Sequence, residues 1–114
     1  MEGDDSYLRT KILREVNEDF HQGDKLNQAL ESEILNELVK CFEEEDDEIR
    51  ELASRAIVKV ACSEKGRDIL VAEEHVPSIE RLFNDAVVDI RANAYRAIIN
   101  IAEFTFGVDS VIGF

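Results

Sequence analysis

Tryptophan is absent from the 114 residues, proline occurs once and glycine five times. So little proline and glycine excludes a low-complexity linker and leaves room for uninterrupted helices. Basic residues are scarce as well: 13 Lys and Arg face 26 Asp and Glu, a net charge of -13. Such a chain is repelled by nucleic acid and by anionic membrane surfaces. No apolar run approaches the roughly 20 residues of a membrane span. The start, Met1-Glu2-Gly3-Asp4-Asp5, is acidic where a secretory signal is basic, and Gly3 does not follow Met1 directly as myristoylation requires. The two cysteines, Cys41 and Cys62, lack paired spacing and sit among apolar neighbours, which reads as reduced, buried thiols in a cytoplasmic protein. His21 and His75 have no Cys or His at ligand spacing, so no metal site is expected. Neither a glycine-rich phosphate loop nor a nucleophile elbow occurs, and the expectation is a protein without cofactor or catalysis.

What is present is a 45% hydrophobic content, arranged with helical periodicity. In Asp89–Glu103, the residues Ile90, Ala94, Ala97, Ile98 and Ile101 recur at helical spacing, with Arg91, Arg96 and Asn100 nearer the flanks. Subtracting 41 lands on a second copy: Ile49/Ile90, Arg50/Arg91, Ala53/Ala94, Arg55/Arg96, Ala56/Ala97, Ile57/Ile98 and Ala61/Ala102 are identical pairs. A second subtraction gives Leu8, Arg9, Arg14 and Val16, so three segments share aliphatic-Arg, then Arg, then aliphatic. The first has Ile12 and Phe20 where the later two have Ala, as expected of an atypical terminal unit. Recurrence of Arg9, Arg50 and Arg91 at the repeat period favours a structural ladder linking successive units, with Glu48 and Asp89 as the expected acids; a ladder of ligand-binding arginines is the alternative.

The spacing predicts helices over Asp4–Phe20, Asp24–Leu30, Glu33–Phe42 with Ser32 as cap, and Ile49–Cys62. It then predicts a short helix Gly66–Val71, a middle helix begun by Pro77 and carrying Ile79, Leu82 and Phe83, and the long helix already described. Between them, Glu43-Glu44-Glu45-Asp46-Asp47 interrupts the periodicity and reads as a solvated loop whose last acids favour the next helix N-terminus. The run could instead dock a basic partner; it lacks the spacing of a calcium loop. Phe106–Ile112 repeats Lys65–Val71, with Gly66/Gly107 and Asp68/Asp109 preserved. The unit is therefore short helix, middle helix, long helix, and a period of roughly 40–47 residues of this kind marks HEAT and armadillo arrays.

Val88-Asp89-Ile90-Arg91-Ala92-Asn93-Ala94 and Ala97-Ile98-Ile99-Asn100-Ile101-Ala102 resemble the long third helix of armadillo repeats, and Gly107 resembles the glycine before the next repeat. The resemblance covers about residues 24–112 and implies an all-α fold, a right-handed α-solenoid of three-helix repeats. Its expected parts are a capping helix (1–22), two repeats (23–64 and 65–105) and the start of an incomplete one (106–114). It also implies a protein-interaction scaffold that binds a partner protein or peptide along a groove lined by the long helices. Asn100 matches the asparagine that in many such repeats holds a bound peptide's backbone, an amide being both donor and acceptor; a solvated or locally bonded side chain is the alternative. Nuclear-import receptors of this fold carry a tryptophan four residues earlier, where this chain has Arg96, and Lys59 stands at the Asn100 position of the preceding unit. The groove expected here is therefore Arg55, Lys59, Asn93, Arg96 and Asn100, a positive strip suited to an acidic peptide. Among armadillo proteins, the ciliary group that includes the radial-spoke proteins is one home that would fit, with a cytoskeletal, axonemal location.

Val108, Val111, Ile112 and Phe114 begin a unit whose remaining helices are missing, so an apolar end interface is expected there, with Ala94, Ile98 and Ile101 partly uncovered. Either the chain is a piece of a longer array, or another chain stacks on that end, including a second copy. Two further functions stay open: a structural subunit of a large assembly that uses no groove, and an acidic regulator that masks a basic surface through Glu43–Glu48.

Overall fold

The computed structural model describes the backbone of residues 2–105 and the side chains of residues 5–103. Among the described residues every regular element is helical: α1 (Glu2–Asp19), α2 (Gly23–Ala29), α3 (Ile34–Lys40), α4 (Asp47–Ala61), α5 (Glu64–Ala72), α6 (Val76–Arg81) and α7 (Val88–Thr105). Short 3₁₀ turns, Cys41–Glu43 and Leu82–Asn84, follow α3 and α6. The order short helix, middle helix, 3₁₀ turn, long helix thus occurs twice, each element displaced by about 41 residues. Only the element ends depart from the sequence expectation, by one or two residues, and the end of each middle helix tightens into the 3₁₀ turn.

The long helix α4 lies between α1 and α7 and packs against both. Its buried side chains Ile49, Leu52, Ala53, Ala56, Ile57, Val60 and Ala61 form the middle of a core shared with Leu13 and Phe20 of α1 and with Ile90, Ala94, Ala97 and Ile101 of α7. The short and middle helices close this core with Leu26, Leu38, Leu70 and Ile79.

Local chemistry explains the boundaries. Asp46 caps α4 by accepting from the Glu48 N–H at 2.8 Å, and Ser63 caps α5 by accepting from Gly66 N–H at 3.2 Å. Ser32 sits just ahead of α3, its hydroxyl 3.3 Å from the Ile34 N–H. Gly66 is needed for space: a Cβ there would lie 2.2 Å from the Val60 carbonyl oxygen, so α5 can press onto the end of α4 only without a side chain. α5 ends with Glu74 at φ 59, and the N–H groups of Glu74 and His75 return to the carbonyls of Val71 and Leu70. That is a left-handed helix stop made without glycine.

The cysteine expectation needs correcting. Both thiols are free, but Cys41 is half-buried and Cys62 exposed, because Cys62 falls at the end of α4 where the helix runs out of the core. Burial pushes the Cys41 thiol up from its ordinary pKa.

Candidate protein-interaction surface

Each long helix carries two arginines at the same register, Arg9/Arg50/Arg91 and Arg14/Arg55/Arg96. In the first set, Arg9 Nη1 pairs with Glu44 at 2.7 Å. Arg50 donates from Nε to Asp85 Oδ2 at 2.9 Å and from Nη2 to Asp85 Oδ1 at 3.2 Å. Glu44 and Asp85 are themselves 41 residues apart, so one ion pair is made twice. The backbone joins in the same way: Arg50 donates to the Glu44 carbonyl at 2.8 Å and Arg91 to the Asp85 carbonyl at 2.7 Å. The acids of the ladder are therefore Glu44 and Asp85, not Glu48 and Asp89 as the register of the helices alone had indicated. The 3₁₀ turn folds the preceding loop under the helix, so the residue six positions before Arg50 or Arg91 gives that arginine its backbone carbonyl and gives its carboxylate to the matching arginine of the preceding long helix.

The Arg50–Asp85 pair is the buried one, with side chains 14% and 8% exposed. The hydrogen bond that Arg50 donates to Asp85 raises the Arg50 pKa above its ordinary value. Burial alone would raise the Asp85 carboxyl, but hydrogen bonds from Arg50 and from the Val87 N–H outweigh it and hold Asp85 below the usual carboxylate value.

In the second arginine set, Arg14 pairs with Glu48 and Arg55 with Glu51 on its own helix. Arg96 is exposed and has no ion-pair partner among the described residues. Arg14, Asn17, His21, Arg55 and Lys59 line a polar cleft of about 520 Å³ between α1 and α4, edged by Glu18, Glu48 and Glu51.

The expected groove residues fall into two groups. Arg55, Lys59, Arg96 and Asn100 lie along the flank of the long helices, whereas Asn93 is buried between α4 and α7, donating to the Ser54 hydroxyl at 3.0 Å. Lys59 spends its amine on the Asn17 side-chain and backbone oxygens at 2.9 and 3.0 Å. Burial and the neighbouring Arg55 lower its pKa from the ordinary lysine value. Asn100 is half-buried, its amide 3.5 Å from the Cys62 sulfur.

The acidic run is largely committed: Glu44 to Arg9, Asp46 to the α4 cap and Asp47 to Arg50, with Glu43 and Glu45 exposed. Val108, Val111, Ile112 and Phe114 lie outside the described residues. Ala94 and Ile101 are fully buried, correcting the expectation that they are partly uncovered, while Ile98 is half-buried; α7 exposes Val88, Tyr95 and Ile99. An apolar cleft of about 350 Å³ opens between α1 and α3, lined by Ile12, Leu13, Val16, Ile34 and Leu38.

Among the described residues no group of three or more His, Cys, Asp or Glu is placed to hold a metal ion. No helix among them is long and apolar enough to cross a membrane. Compared with known families and with curated proteins, the chain matches no family model and no curated protein.

Proposed function

We propose that the chain is an armadillo-type α-solenoid segment acting as a non-catalytic protein-interaction scaffold in the cytoplasm. In this reading residues 1–22 cap repeats 23–64 and 65–105, and an acidic extended peptide binds along the flank of the long helices. The observation that carries it is the row Arg14, Arg55, Arg96, one arginine per long helix at 41-residue spacing, on a protein of net charge -13. Arg14 and Arg55 stay 58% and 50% exposed despite their ion pairs, so a peptide carboxylate can exchange for Glu48 or Glu51 without unburying anything. Asn100 lies beside Arg96 and supplies an amide for a peptide backbone. Internal bonds of Glu44 and Asp46 reduce the charge that the acidic-regulator reading can use to Glu43, Glu45 and the exposed Asp47 and Glu48.

Capture of partners from cytosol, identified by mass spectrometry, tests this. Wild type is expected to retain partners that are lost in Arg55→Glu/Arg96→Glu and released by salt. A partner list unchanged by the double variant would refute the groove.

A further inference from the structure

Among the described residues, the arc of each long helix bounded by its two arginines is covered on α1, largely covered on α4 and open on α7. At about 100° per residue, Arg91 and Arg96 stand roughly 140° apart on α7, with Tyr95, Val88, Ile99 and Ala92 between them. The same arc on α1 runs from Arg9 to Arg14 and contains Leu13, Asn17 and Thr10, all buried in the joint with α4. On α4 it runs from Arg50 to Arg55 and contains Ser54, 2% exposed against α7, and the half-buried Glu51 and Val58, with Asp47 exposed at its start. On α7 the corresponding side chains are open: Val88 is 63%, Tyr95 50% and Ile99 56% exposed. Tyr95 stacks on Phe83, ring centroids 4.3 Å apart, which orients its ring on the arc.

Its charge is equally distinctive. Arg9, Arg14, Arg50 and Arg55 each have a carboxylate partner, in a chain with twice as many acids as bases. Arg91 reaches only the Asp85 backbone carbonyl, and neither it nor Arg96 has a carboxylate hydrogen-bonded to it among the described residues. On α1 the two arginines are answered by Glu44 and Glu48, two acids four residues apart astride the start of the covering helix.

From this we infer that the Arg91–Arg96 arc of α7 is a docking site for a helix of a partner protein. That helix begins with two acids four residues apart and presents an apolar stripe to Val88, Tyr95 and Ile99. Shape and charge are those of the joint the chain already makes with itself. A second copy does not fit the role, because its acid-led helix α4 lies buried between α1 and α7, and Asp85, of the pair Asp85 and Asp89, is buried against Arg50. Two copies of charge -13 also repel. The inference rests on the protein-scaffold reading and shares Arg96 with the groove, but Arg91, Val88, Tyr95 and Ile99 are no part of the groove.

The test is fluorescence anisotropy of the full chain with a labelled peptide of the sequence Glu44–Cys62, the chain's own acid-led helix, carrying Cys62→Ser. Saturable binding is expected, weakened more than tenfold by Arg91→Glu or by Ile99→Glu in the protein, and as much by Glu44→Gln/Glu48→Gln in the peptide. Arg55→Glu is expected to leave it unchanged. Ile99 is exposed and the peptide variants leave the protein untouched, so a folding defect at Arg91 does not decide the outcome. Absence of saturable binding, or an affinity indifferent to Ile99→Glu and to the peptide's acids, overturns the inference. So does sedimentation showing that the full chain pairs with itself through this arc. Loss of binding in Arg55→Glu alone would assign the peptide to the groove and likewise overturn it.

Discussion

The joint between α1 and α4 and the joint between α4 and α7 are built from the same parts, displaced by 41 residues. Arg9–Glu44 and Arg50–Asp85 are the same ion pair by register, yet the first is 50% and 39% exposed and the second 14% and 8%. Side-chain size accounts for the difference. α4 and α7 meet over Ala53, Ala56, Ala94 and Ala97, all fully buried, and alanine lets helices approach closely. The counterparts of Ala53 and Ala61 on α1 are Ile12, which is exposed, and Phe20, and beside α1 the apolar cleft stays open. Register decides which groups meet, and the size of their neighbours decides whether water is kept out. The energetic worth of the same pair follows from the second.

The sharpest way to break the comparison is Arg50→Ala. It strands the Asp85 carboxylate in a nearly closed site, and a loss of about 3 kcal/mol in urea unfolding is expected. The loss depends on pH. Because the folded-state pKa of Asp85 lies below the ordinary carboxylate value of about 3.9, its contribution is complete above that pH and fades as pH falls through the folded value. Wild type and variant should therefore converge in acid. Next comes the amide pair. Asn17 donates to the Leu13 and Leu52 carbonyls at 2.9 and 3.0 Å and accepts from Lys59, so Asn17→Ala removes three side-chain bonds at the first joint, leaving Lys59 only the backbone oxygen of residue 17, and should cost about 2 kcal/mol. Asn93→Ala at the second joint orphans less, since the Ser54 hydroxyl also donates to the Glu51 carbonyl at 2.9 Å, and should cost about 1 kcal/mol. A larger loss for Asn93→Ala than for Asn17→Ala would contradict this ranking. The smallest effect belongs to Arg9→Ala, which should leave the unfolding midpoint unchanged; a loss matching Arg50→Ala would show that exposure does not set the worth of the pair.

Much of this was legible in the sequence. The apolar stripes located the long helices, and the matches at Ile49/Ile90 and Ala56/Ala97 set the period. What escaped were features decided by the third dimension. The ladder acids were misplaced because the register of the helices says nothing of how a 3₁₀ turn tucks a loop beneath them. Asn93 and Lys59 look like surface residues on a helical wheel, but both lie where a neighbouring helix passes and are held by it. Ser63 and Glu74 were missed as helix signals: the Ser63 cap stood beside a more conspicuous glycine, and a glutamate rarely adopts a left-handed stop. Tyr95 replaces the buried Leu13 and Ser54 of the earlier units, and that change of residue was the available sign of an outward surface.

The claim that one helix arc is covered within the chain on α1, largely covered on α4 and offered to a partner on α7 is tested most directly by NMR. Backbone amide shifts of the isotope-labelled full chain would be followed during titration with the Glu44–Cys62 peptide. Perturbations confined to Val88–Ile99 and the adjoining Phe83 turn are predicted. Perturbations centred on the Arg14, Arg55 and Lys59 cleft, or spread across α1 and α4, would contradict it.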